Sequence, residues 1–104
     1  MEIDVANTIK AVELLKVELL QNLTDLFGDL SAEADSETAE RLSEDAARLI
    51  CQTYLLCNRV GVEFSQIETK MKGMLKQGIR EEHLLERRFG DLSALLACLE
   101  GKKS

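Results

Sequence analysis

The chain reads as all-α: one domain, residues 1–104, built as a four-helix bundle-like fold. Three observations predict it. There is no proline in the 104 residues, a residue that all-β chains of this size use freely at turns. Aromatic residues are scarce, three Phe and one Tyr, where strands favour aromatic side chains. Apolar residues recur at intervals of three and four between glycines, the spacing of a buried helical face. At this length a chain forms one domain and buries about two-thirds of its unfolded surface, which excludes a multi-domain enzyme and a large cavity inside one copy.

The first helix is expected from about Asp4 to Phe27, with apolar positions at Val5, Ile9, Val12, Leu19, Leu23 and Leu26. Leu14, Leu15, Val17, Leu20 and Phe27 widen that stripe well past one face. A helix apolar over so much of its circumference needs cover on more than one side, and in so short a chain a second subunit is the expected cover. Residues 29–36, DLSAEADS, form the polar connection. The second helix is expected from Ser36 or Glu37 to about Arg59, with Glu37 and Glu40 favouring its positive end. Ser65-Gln66-Ile67-Glu68 matches the S-x-x-E capping box and opens a short third helix. The fourth is expected to start at Glu81 and Glu82 and continue to about Glu100, through Leu85, Phe89, Leu92, Leu96 and Leu99. Gly28, Gly61, Gly78 and Gly101 read as C-terminal stops; Gly73 and Gly90 fall inside periodic stretches, where close packing would explain them.

Composition narrows the function. With 13 basic and 19 acidic residues the net charge is −6. Residues 1–60 carry 12 acids and 5 bases, residues 61–104 carry 7 and 8. An acidic chain repels phosphate backbones, and no aromatic platform accompanies Lys70, Lys72, Lys76 and Arg80, so no nucleic-acid partner is expected. Apolar runs are far shorter than the ~20 residues that span a bilayer, so no membrane is expected. The start, MEIDVANT, has no basic region of a signal peptide. Cys51, Cys57 and Cys98 lack metal or redox spacing and read as reduced thiols in apolar stretches, which places the protein in the cytoplasm.

No catalytic triad can be assembled. His83 stands in a charged turn; joining Glu82 and Glu86 on a metal is possible by spacing, an exposed solvated histidine is favoured. Glu40 and Glu44 lie one turn apart, but Glu37–Arg41, Arg41–Asp45 and Glu44–Arg48 are opposite-charge pairs of the kind that form surface ladders. Glu13 and Glu18 interrupt the apolar first helix and, five residues apart, point about 140° away from each other.

Residues 46–79, AARLICQTYLLCNRVGVEFSQIETKMKGMLKQGI, resemble the MazG-like proteins related to all-α nucleoside triphosphate pyrophosphohydrolases. Val60-Gly61-Val62-Glu63 stands at the family's turn, with Lys70 or Lys72 beyond it. The segments NTIKAVELLKVELLQNLTDLF and RRFGDLSALLACL resemble a small bacterial subgroup, and the likeness covers about four-fifths of the chain. The resemblance implies a helical homodimer, or dimer of dimers, with nucleotide sites walled by both subunits. It also implies Mg2+ held by the carboxylates of EExxE and ExxD motifs, and hydrolysis of a nucleoside triphosphate to a monophosphate and pyrophosphate.

On that resemblance the expected metal ligands are Glu13, Glu18, Glu44, Asp45 and Asp91, with Lys16 and Arg48 on phosphate oxygens; no single catalytic residue is assigned. The chain departs from the motifs. The EExxE position reads Val12-Glu13-Leu14-Leu15-Lys16-Val17-Glu18, ExxD reads Asp45-Ala46-Ala47-Arg48, and Arg88-Phe89-Gly90-Asp91 keeps only a final acid. Two readings follow: a Mg-dependent pyrophosphohydrolase with an eroded metal motif, or a non-catalytic helical dimer serving as a nucleotide- or protein-binding module.

Overall fold

The structure, a computed structural model, describes residues 5–101. It contains five helices and no strand among them: α1 (Val5–Ser31), α2 (Thr38–Arg59), α3 (Phe64–Arg80), α4 (Leu84–Phe89) and α5 (Asp91–Leu99). Asp4, the expected first helical residue, lies outside the described residues. No described helix is long and apolar enough to cross a membrane. The chain forms two compact units, one running to Val62 and the other starting at Glu63.

In the first unit α1 packs along α2. The hairpin is antiparallel, since Asn22 bonds to Gln52 and Asp29 pairs with Arg41. The connection is ordered by Asp35: its carboxylate accepts from the Glu37 amide at 2.8 Å, and its own amide donates to Thr38 Oγ1 at 2.8 Å. The hydrogen bond from the Glu37 amide holds the Asp35 carboxyl below the usual range, aided by the nearby Arg41. An Asx turn of this kind starts a helix in place of a conventional side-chain cap.

The face of α1 that α2 covers comprises Ala11, Val12, Leu15, Glu18, Leu19, Asn22, Leu26 and Asp29, all buried or half-buried. It is not the purely apolar stripe expected. Val5, Ile9, Leu20, Leu23, Phe27 and Leu30 remain exposed, Leu20 at 69% and Phe27 at 58%. The two residues most deeply buried are polar, Asn22 and Asp45, and no apolar side chain among the described residues is buried.

In the second unit α3 and α4 pack against α5. The cap of α3 is Glu63 rather than Ser65, two residues earlier than the S-x-x-E reading: Gln66 Oε1 accepts from the Glu63 amide at 2.7 Å. Glutamine serves the reciprocal arm as well as glutamate does, and the sequence reading gave weight only to the acid. The expected single fourth helix is broken at Gly90, whose φ of 71° is left-handed and ends α4. Glu86 bridges the break, accepting from the Ser93 amide at 2.9 Å and from the Ser93 hydroxyl. These bonds stabilise the carboxylate and lower its pKa. His83 caps α4, its Nδ1 accepting from the Leu85 amide at 3.1 Å, so one ring nitrogen of His83 and both oxygens of Glu86 are engaged by local backbone and side-chain donors.

The glycines exchange roles relative to expectation. Gly28 and Gly78 lie inside α1 and α3, while α3 ends at Glu81 and Glu82, where Glu82 adopts φ 55° without a glycine. Gly78, not Gly73, is the packing glycine: a Cβ there would lie 2.6 Å from Leu92 Cδ1 of α5, whereas Gly73 faces open space. Replacing Gly73 by Ala is therefore expected to stabilise the protein by about 0.5–1 kcal/mol through helix propensity. Gly78→Ala is expected to gain less than Gly73→Ala, because the added Cβ must displace the Leu92 Cδ1 methyl and this overpacking offsets the propensity gain. Urea denaturation of the two variants beside wild type measures both changes.

Candidate functional site

The interface between α1 and α2 would be expected to carry apolar residues in a 3–4 alternation, and at two levels it carries polar ones. On α1 these are Asn22 and Asp29, seven residues apart; on α2 they are Asp45 and Gln52, again seven apart. Seven residues make two turns, so the antiparallel hairpin stacks two polar layers about 10 Å apart along its axis. A polar residue at such a position costs stability and fixes register.

The first layer is acidic. Asp45 is 5% exposed, and its Oδ2 is buried without a hydrogen-bond donor. Its carboxyl faces Asp29, and a bond between two carboxyls requires a proton on one of them. That bond to Asp29, then burial, then the negative charges of Asp29 and Asp25 push the Asp45 pKa up, while Arg48 pulls it down. Two guanidiniums flank the acids. Arg48 Nη1 lies 3.4 Å from Asp45 Oδ1, and Arg41 lies 3.5 Å from Asp29 and 3.6 Å from Asp35. With both acids ionised, the two carboxylates repel each other and the buried Asp45 Oδ2 has no donor. The space between Asp29 and Asp45 thus takes either a proton or a cation.

The second layer is built of amides. Asn22 Nδ2 donates to Gln52 Oε1 at 2.5 Å, and Gln52 Nε2 donates to Glu18 Oε1 at 3.3 Å. Beside this chain lies an open pocket of about 260 Å³, lined by Val17, Glu18, Gln21, Asn22, Arg48 and Gln52. On the other flank of Arg48, Glu44, Ala47, Cys51 and Gln52 line a shallower hollow of about 450 Å³. Cys51 is exposed rather than packed as a small apolar residue; Cys98 is exposed too, Cys57 is half-buried, and all three are free.

The expected ligands disperse. Glu13 is bonded to Lys16 at 3.1 Å on the surface of α1, sixteen residues before Asp29 and so about 24 Å from it along the helix. Glu18 belongs to the amide layer, Glu44 to the hollow beyond Arg48, and Asp91 to the first turn of α5 in the second unit. The structure therefore does not bring Glu13 to Asp45 or Lys16 to the acids; of the expected residues, Asp45 and Arg48 alone stand at the acidic layer. Asp25, Asp29 and Arg41 are the residues that sequence reasoning missed there. A signal existed: Asp25-Leu26-Phe27-Gly28-Asp29 has acids at the first and fifth positions of an EExxE pattern.

Among the described residues no three His, Cys, Asp or Glu side chains converge as a metal-holding group. The donor set nevertheless fits one hard cation: two carboxylates with an orphaned oxygen are what Mg2+ uses when phosphates and waters complete its shell.

The MazG-like family model matches residues 5–92. The chain belongs to the MazG-like family. No curated protein and no solved structure matches it. The match spans both helices of the hairpin and most of the second unit, so this MazG-like chain carries its acidic layer, Asp25, Asp29 and Asp45, within the family's own region. Membership supports a role related to nucleoside triphosphate pyrophosphohydrolysis at the level of the family.

The raised pKa of Asp45 has a sign that can be measured. Its protonated form is favoured in the folded state, so this contribution to stability is fully present below the unfolded pKa. It is lost as pH rises through the folded pKa. Asp45→Asn is expected to raise the melting temperature at neutral pH and to flatten the decline that wild type shows as pH rises above about 4. Thermal melts of both proteins from about pH 4 upward make the comparison.

Proposed function

We propose that this MazG-like chain is a magnesium-dependent nucleoside triphosphate pyrophosphohydrolase of reduced metal capacity, with Asp29 and Asp45 as the metal-holding pair. The observation that carries the reading is the buried, donor-less Oδ2 of Asp45 facing a second carboxylate. A protein retains such an arrangement at a cost in stability, which a bound cation offsets. Asp25 adds negative charge. Arg41, paired with Asp29, supplies a guanidinium for phosphate oxygens on the metal side.

Magnesium, when bound, lowers the pKa of a water and neutralises phosphate charge. The reaction would join a water oxygen to the α-phosphorus and break the α–β anhydride bond, releasing pyrophosphate and a proton and leaving a nucleoside monophosphate. The chain's own residues would bind and orient: Asp29 and Asp45 would hold the cation, with the amide layer two turns away along the hairpin.

A second reading, a nucleotide-binding module without chemistry, is favoured by one observation. Arg41 and Arg48 already neutralise the outer oxygens of both acids. The two readings separate in one assay. Each common nucleoside triphosphate is incubated with and without Mg2+, and pyrophosphate release is followed. The enzyme reading expects Mg2+-dependent release that Asp29→Asn and Asp45→Asn each lower by at least about 100-fold, beyond the ~10–100-fold typical of outer partners. Glu13→Gln is expected to leave it intact. Release that survives both aspartate variants would overturn the metal assignment; nucleotide binding with no release selects the second reading.

The same reading includes assembly as a homodimer or dimer of dimers. The absence of any buried apolar side chain among the described residues, together with the exposed Leu20, Leu23, Phe27 and Leu30 stripe of α1, supports a second copy as its cover. The stripe keeps a 3–4–3 alternation suited to bundle packing. Light scattering is expected to give at least twice the 11.6 kDa of one chain; a monomer at micromolar concentration would remove the claim. Phe27→Asp is expected to dissociate the assembly.

A further inference from the structure

We infer that the pocket beside the amide layer is a nucleobase site selective for guanine, an inference that rests on the nucleotide reading above. Its volume, about 260 Å³, suits a single ring system rather than a whole nucleotide. Its lining combines one apolar wall, Val17, with a guanidinium, three amides and a carboxylate. That mixture selects a flat, neutral ligand with donors and acceptors on its edge. Glu18 and the neighbouring acidic layer disfavour an anion there.

The layer is also built in advance. Gln52 accepts from the 92%-covered Asn22 and donates to Glu18, so its amide is held at both ends and Glu18 is fixed against the groove. Arg48 spends one contact on Asp45 and has five N–H donors to distribute. Guanine answers this set at both edges. Its adjacent O6 and N7 acceptors match a guanidinium fork, the commonest specific base contact of arginine. Its N1–H and amino donors require an acceptor, which the Glu18 carboxylate provides. Adenine presents a donor where Arg48 needs an acceptor, uracil has no amino group for Glu18, and cytosine satisfies one edge only.

The experiment uses nucleosides, which carry no phosphate and need no metal. Guanosine, adenosine, cytidine and uridine are titrated into the full chain in the presence of a chelator, with binding read by NMR at the side-chain amides of Asn22 and Gln52. The expected result is guanosine binding at least about tenfold tighter than the others, the size of one good bidentate discrimination. Arg48→Met and Glu18→Gln should each abolish that preference while the helical circular dichroism is retained. Equal binding of all four nucleosides, preference for another base, no response at the two amides, or preference surviving both variants would each overturn the assignment. Pyrophosphate release from the triphosphates is measured in parallel: release without guanine preference overturns this inference alone, while guanosine preference without release upholds it and overturns the enzyme reading alone.

Discussion

The interaction on which the hairpin depends is the confrontation of Asp45 with Asp29 across α1 and α2. Every helix pair of this length buries something at its seam, and here the most covered side chain in the acidic layer is a carboxylate whose second oxygen has no donor. Like charges in a desolvated seam repel strongly, since the effective dielectric falls well below that of water. The structure answers with guanidiniums on the outer oxygens, one from Arg48 and one from Arg41. The inner oxygen is left for a proton or a cation. Register, charge and candidate chemistry therefore share a single origin.

The amide layer follows from the same geometry. Seven residues separate Asp29 from Asn22 and Asp45 from Gln52, so a fixed register at the acids fixes it at the amides. Asn22 and Gln52 satisfy each other and orient Glu18, which makes a polar seam tolerable in the middle of a hairpin. What the hairpin forgoes is apolar burial. Several of its large apolar residues, Leu20 and Phe27 among them, lie on the flank away from α2, which leaves the helix pair stabilised little by its own seam. The acidic layer, the groove and the exposed stripe are thus three consequences of one polar seam.

The second unit shows how local chemistry sets its elements. Gly90 breaks a periodic stretch because its left-handed backbone allows α5 to restart at once, with Glu86 reaching over to the Ser93 amide. Gly78 faces α5, and Leu92 Cδ1 occupies the volume a side chain would need. Spacing alone assigns both glycines the opposite roles. Periodicity sees a residue's position on a helical wheel and not its neighbour on another helix.

The sequence by itself determined that the chain is helical, where most helices lie, and which family it belongs to. Absence of proline, the 3–4 apolar rhythm and the run from Ala46 to Ile79 suffice, because backbone propensity and amphipathic pattern are local properties. It also exposed Asp45 and Arg48 as unusual neighbours. Only the tertiary structure decided which acids meet. Glu13 and Asp45 stand close in a motif alignment, yet the antiparallel register carries Glu13 to the far end of α1 and sets Asp29 opposite Asp45. Register is a property of two helices packed together, fixed by the side chains each presents to the other, and one strand of sequence contains only half of that information.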